Sequence, residues 1–380
     1  MALKAKYEVA DILRRNHHKL EQKVPNRWKL RTLYAIEICR TATLGGHIDQ
    51  CLNSDCKGIH ISYNSCRNRH CPKCQGHKRQ QWILARENEL INVSYYHLVF
   101  TLPSELNKLT FANQKTVYSI LFKTAWSVVK DFAANPKFIG GRTGMISILH
   151  TWGQNMSFHP HLHCIVPGGG INRNKKWKVA KGKDKYLFPV KAMSKVFRAR
   201  FTRQIRLHFN LTPEIYKQLF QKKWVVYCKR PFFGSKQVVE YLGRYTHKVA
   251  ISNHRLIDIA EGKVTFMAKD YRQGGKKHLV SLQDGEFIRR FSLHILPKGF
   301  TRIRHYGILS SSLKQEILPI LHEKLGSITI CLEQKSKHRI CPTCKKGELI
   351  TIRYFDNRGP PKNIKALDTS IIQAIVKIKS

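Results

Sequence analysis

Between Gly45 and Gln75 the chain carries five cysteines and almost no apolar periodicity. A stretch of that kind has too little apolar surface to hold itself together, so a metal must organise it. Cys71-Pro72-Lys73-Cys74 is a C-x2-C knuckle, a tight turn from which two thiolates converge on one ion at about 2.3 Å. Cys51 and Cys56 are the natural second pair of the tetrahedron, with Cys66, His47 and His70 as substitutes. A closed set of four ligands is a structural zinc site; lone buried thiols are the alternative that the paired spacing disfavours. A second knuckle, Cys341-x2-Cys344, has no evident partner pair, Cys331 and His338 being the candidates.

The eleven cysteines are an odd number, and no secretory signal stands at the start of the sequence, which argues for reduced thiols and metal over disulfides. The 68 basic residues exceed the 24 acidic ones by 44, and the excess runs along the whole chain. Such charge repels itself unless a polyanion neutralises it, so DNA or RNA is the expected partner. Arg67, Arg69, Lys73, Lys78 and Arg79 turn the cysteine-rich module toward that partner. No apolar run approaches the roughly 18 residues of a membrane span, and a cytoplasmic protein is expected.

Residues 1–40 read as helices broken at Pro25-Asn26, and His77–Asn92 as a connecting helix. Strands are expected at Tyr95–Pro103, Met145–Trp152, His161–Val166 and Trp224–Pro231, with shorter ones at Val249–Ser252, Val264–Ala268 and His278–Leu282. The short linker GQNMSF makes the second and third an antiparallel hairpin, which Gly168–Gly170 close. Helices are expected around Phe111–Phe132, Lys191–Phe209, Pro213–Lys222, Gln237–His247 and Phe287–Leu296. Strands and helices interleave without regular βαβ spacing, so the fold class is α+β with an antiparallel sheet. Three domains are expected: 1–92, helical and zinc-binding; 93–310, the catalytic domain; 311–380, a basic region with the second knuckle.

The sharpest chemistry sits in His159-Pro160-His161-Leu162-His163. On a strand His161 and His163 project from one face while Leu162, Cys164 and Val166 point into a core. Two imidazoles so held can chelate a divalent ion and leave coordination positions open for substrate. His150 on the preceding strand is the first choice for a third ligand, with Gln154 and His159 as alternatives. In VVEYLGRYTHKV, Tyr241 and Tyr245 share one helix face, in a polar and basic setting that is poor for burial. A phenol can attack a phosphodiester when a metal withdraws charge from the phosphate.

These segments together resemble the two-tyrosine HUH (His-hydrophobic-His) transposases of rolling-circle insertion sequences, the insertion sequence 91 family. The resemblance rests on Cys51–Cys74, YHLVFTLP, LHTWGQN, HPHLHCIVPGGG, YLGRYTHKVAISNHR and FIRRFSLHILPKGFTRIRHYG, and so spans nearly the whole chain. It implies an N-terminal zinc-binding domain followed by an HUH endonuclease domain, a central antiparallel sheet flanked by helices. It implies Mg2+ or Mn2+ on His161 and His163, and Tyr241 or Tyr245 attacking single-stranded DNA at an element end to leave a 5′-phosphotyrosine. The second tyrosine would serve a second cleavage or strand transfer. No P-loop motif is present, so any unwinding would fall to a host helicase. Alternatives are a rolling-circle replication initiator or relaxase using the same chemistry, and a non-enzymatic zinc-finger DNA-binding protein.

Overall fold

The structure, a computed structural model, describes residues 5–56, 58–74, 82, 89–182, 186–232, 249–270, 273–326 and 339–364. Its strands are β1 (Gly46–Cys51), β2 (Ile59–Tyr63), β3 (Tyr95–Thr101), β4 (Gly144–Trp152), β5 (Phe158–Pro167), β6 (Gly169–Ile171) and β7 (Trp177–Val179). They continue with β8 (Val226–Phe232), β9 (Leu256–Ala260), β10 (Lys263–Asp270), β11 (Lys276–Gln283), β12 (Ile303–Gly307) and β13 (Leu349–Phe355). The chain divides into two compact units, Met1–Lys6 with Gln75–Ile330, and Tyr7–Cys74 with Cys331–Ser380. Of the region 311–380 that the sequence sets apart, Cys331–Ser380 counts with the N-terminal residues, while 311–330 stay with the larger unit. The reason is a strand pairing: β13 lies antiparallel to β1.

The larger unit is built on a five-stranded antiparallel sheet of order β12-β4-β5-β3-β8. Strand alternation sorts its side chains onto two faces. Leu98, Phe100, Leu162, Cys164, Val166, Met145 and Leu149 point to one of them. There they pack on Val117, Leu121, Phe122 and Val128 of helix Gln114–Ala134 and on Phe197 and Phe201 of helix Val190–His208. Each large apolar side chain fully buried there contributes about 1.5–3 kcal/mol. Helix Gln114–Ala134 runs 21 residues without glycine or proline, and it stops at Asn135, whose successor Pro136 disfavours helical backbone before it.

On the opposite face Ile317, Leu318 and Leu321 of helix Ser311–Leu325 pack with Tyr95, Ile146, Ile148 and Ile165 at one end. Beyond Ile148 and Ile165 the next side chains on this face are His150, His163 and His161.

Two local expectations are corrected. Val249–Ser252 is not a strand; the strand is β9, because Glu261 and Gly262 both take positive φ (48° and 71°), as a two-residue hairpin to β10 demands. The glycines after β5 do not close the hairpin but continue as β6, paired with β7. A Cβ on Gly169 would stand 2.4 Å from the Lys178 carbonyl, and one on Gly170 2.7 Å from that of Arg142, so only glycine permits this approach. The expected helix His77–Asn92 falls largely outside the described residues, and Gln237–His247 falls wholly outside them.

In the smaller unit helices Val9–Arg15 and Arg27–Glu37 bury Val9, Ala10, Ile12, Leu13, Leu33 and Ile36. Asn26 caps the second of these through its side chain and the Lys29 amide. A three-stranded sheet of order β13-β1-β2 completes the unit. Among the described residues, no helix is long and apolar enough to cross a membrane.

Candidate active site

The β4–β5 register sets His150 directly opposite His161, with Ile148 opposite His163. Cross-strand and diagonal neighbours on one face lie within side-chain reach, so the three imidazoles are brought together by the hairpin itself. Their candidate ligand atoms all lie within 4.8 Å of one another, and Nε2 of His161 stands 3.2 Å from Nε2 of His163. His161 Nδ1 donates to the His159 carbonyl at 2.6 Å. A carbonyl only accepts, so the proton sits on Nδ1 and Nε2 keeps its lone pair for an ion. His150 is buried, its ring stacked 4.6 Å from that of Trp152. Three nitrogen donors converging on one point fit a divalent ion with open positions.

Of the alternatives for the third ligand, His159 supplies its carbonyl to His161, and its own imidazole is outside the group. Gln154 lies in the β4–β5 turn, where its carbonyl accepts from the Arg255 guanidinium. Arg290 donates to the Asn155 carbonyl in the same turn at 3.0 Å. Buried His294 donates from Nε2 to the Met156 carbonyl at 3.0 Å, and its Nδ1 faces the Thr151 hydroxyl at 3.1 Å. Three side chains from distant sequence thus clamp the turn beside the histidines.

Sequence reasoning missed His97. It lies on β3 opposite Ile165, diagonal to His163, and is 4% exposed. Its signal was available, since His97 has the same strand parity as the face carrying His161 and His163. Tyr241 and Tyr245 lie outside the described residues.

Eight of the described cysteines sort into two groups, with memberships other than those expected. Cys39, Cys66, Cys71 and Cys74 form one, and Cys51, Cys56, Cys341 and Cys344 the other. Cys51 and Cys56 therefore do not join Cys71 and Cys74; Cys51 ends β1 beside Leu349 of β13, away from the 71–74 knuckle. Cys66, expected as a substitute, is a full member of the first group, while His47 and His70 belong to neither and His47 faces Asp49 at 3.2 Å. Cys39, just past helix Arg27–Glu37, has no neighbouring cysteine to signal its role. Cys331 and His338 lie outside the described residues. In the first group Cys74 Sγ is 3.5 Å from Cys39 Sγ and 3.6 Å from Cys66 Sγ. A disulfide would need about 2.05 Å, whereas thiolates around one zinc at about 2.3 Å stand about 3.8 Å apart.

The family model described as "Putative transposase" matches residues 144–316, which include all three histidines. The insertion sequence 91 model described as "Transposase zinc-binding domain" matches residues 12–102. "Putative transposase y4qJ" of Sinorhizobium fredii is 39% identical over 390 residues, covering 93% of this chain and 97% of the relative. "Transposase for insertion sequence element IS801" of Pseudomonas savastanoi pv. phaseolicola is 27% identical over 82% of this chain and 78% of its own. No solved structure matches the chain. With an N-terminal zinc-binding domain followed in sequence by a central antiparallel sheet, and a relative aligned over almost the whole of both chains, this protein belongs to the insertion sequence 91 family of transposases.

Proposed function

We propose that this transposase nicks and rejoins single-stranded DNA at insertion-sequence ends through a 5′-phosphotyrosine intermediate, with Tyr241 and Tyr245 as nucleophiles. The observation that supports the reading is the convergence of His150, His161 and His163 on one face of the sheet. These three imidazoles would hold Mg2+ or Mn2+. A divalent ion bound there withdraws charge from the scissile phosphate and lowers the barrier to attack. The tyrosine oxygen attacks phosphorus, the bond to the 3′ oxygen breaks, and that oxygen leaves as a 3′-hydroxyl with the proton. The new phosphotyrosine ester retains the energy of the broken bond, so rejoining needs no ATP. The second phenol serves a second cleavage while the first ester persists. The basic surface supplies sequence-independent phosphate affinity, and strand separation falls to a host helicase.

A replication initiator or relaxase would use the same chemistry; membership of a transposase family favours element mobility. A non-enzymatic zinc-finger protein would have no use for three converging imidazoles. The test is a covalent adduct between purified protein and single-stranded DNA carrying an element end, formed with Mg2+ or Mn2+. Removing either phenol should diminish the adduct and Tyr241→Phe with Tyr245→Phe should abolish it. Wild-type adduct in that double variant would refute the nucleophile assignment. His161→Ala with His163→Ala should abolish cleavage while leaving most DNA binding intact.

A further inference from the structure

The second cysteine group joins parts of the chain nearly three hundred residues apart. Cys344 Sγ lies 3.6 Å from Cys51 Sγ, and Cys341 Sγ 3.7 Å from Cys56 Sγ. Both separations match one zinc in a tetrahedron of thiolates, at about 3.8 Å, and leave no space for a cluster of several irons. The backbone is arranged for thiolates as well. The Gly347 amide donates to Cys344 Sγ at 3.2 Å, and Lys345, just after the knuckle, takes a positive φ of 57°. Arg40 and Arg67, just after Cys39 and Cys66 of the first group, do the same, with φ of 59° and 52°. His60 Nε2 approaches Cys341 Sγ at 3.3 Å, where an imidazole N–H offsets thiolate charge. A Cβ on Gly347 would stand 2.4 Å from Cys51 Sγ, so the C-terminal loop is shaped to admit that sulfur.

We infer that Cys51, Cys56, Cys341 and Cys344 form a second structural zinc site, a clasp that fastens the segment around β13 to β1 of the N-terminal zinc-binding domain. The matched zinc-binding region ends at residue 102 and so includes neither Cys341 nor Cys344. The sheet needs the clasp: β13 pairs with β1, and among the described residues the apolar cluster around Cys51 holds one non-cysteine, Leu349, beside Cys341, with Cys56 and Cys344 packed against it. So small a core cannot hold a distant segment, and a metal takes its place. The zinc makes the C-terminal segment a working part of the N-terminal domain.

The test counts zinc in the purified full-length protein after dialysis. Wild type should hold about two per chain, and Cys341→Ser with Cys344→Ser about one; Cys71→Ser with Cys74→Ser should also leave about one. One zinc in wild type, two in the Cys341/Cys344 variant, or the visible absorption of iron–thiolate would overturn the assignment. A second measurement reads the clasp. A protease site inserted between Leu325 and Arg339 is cut in the zinc-loaded protein, and the C-terminal fragment should co-elute with the rest on gel filtration. In the Cys341/Cys344 variant it should separate, while the single zinc still bound there reports that the first group remains folded. Fragment lost with both zincs present, or retained in the variant, would refute the clasp.

Discussion

His97 Nε2 lies 2.9 Å from Nδ1 of His163, the two rings stacked at 15°. Burial pushes the His97 pKa down to about 3, with the positive charge of Lys229 acting in the same direction, so its ring stays neutral. For His163 to offer Nε2 to an ion, its Nδ1 must carry the proton and donate it to His97. His97 is then the acceptor that fixes the His163 tautomer.

His97→Leu removes that acceptor. Half-saturating Mn2+ for adduct formation should rise 10- to 100-fold, with near-normal rates recovered at high Mn2+. His97→Gln, which keeps an acceptor, should lose less. An unchanged Mn2+ titration in the leucine variant would show that His163 needs no partner.

Among the described residues the donor set is three imidazoles without a carboxylate, softer than Mg2+ prefers. Mn2+ should therefore support adduct formation at lower concentration than Mg2+. His150→Glu should narrow the gap by adding an oxygen donor. Equal dependence on the two ions in wild type, or a wider gap in the variant, would contradict the ligand set.

His294→Ala would leave the Met156 carbonyl and Thr151 hydroxyl without their buried partner and open a small cavity beneath the β4–β5 turn. The cost should be about 3 kcal/mol, read as a thermal midpoint lower by several degrees. Cleavage should fall with it, because the turn aligns the strands carrying the histidines. A variant as stable as wild type would mean that the clamp is dispensable.

Lys29 is 8% exposed, and burial lowers its pKa from 10.5 to about 8. Below pH 8 both folded and unfolded chains hold the proton, and the folded state bears the full cost of the buried charge. Between pH 8 and 10.5 only the unfolded chain still binds it, so this group makes stability rise with pH through that window. Lys29→Met removes the titrating group and should flatten the rise. Chemical denaturation at pH 7 and pH 10 checks this.

Much of the local structure was readable from residues alone. The alternation in His161–Val166 placed the imidazoles and the core residues on opposite faces, as the buried Leu162, Cys164 and Val166 bear out. The linker GQNMSF marked the hairpin, which put His150 across from His161. Where reading failed, the information was not local. Val249–Ser252 has strand-forming residues, but the Glu261-Gly262 turn decided which residues face β10. β12 carries no strong pattern of its own and is a strand because β4 offers it an edge, while β13, rich in β-branched and aromatic residues, finds its partner in β1 only in three dimensions.

Residue spacing along the chain determined that there would be metal knuckles, a histidine strand and a basic polyanion-binding surface, because each depends on neighbours within a few positions. Only the tertiary structure decided which cysteines meet, that Cys39 joins Cys66, Cys71 and Cys74, and that His97 backs His163. The physical reason is that a tetrahedral ion and a diagonal strand contact select partners by distance in space. Strand pairing brought Cys341 and Cys344 to Cys51 and Cys56 across a separation on which sequence spacing carries no signal.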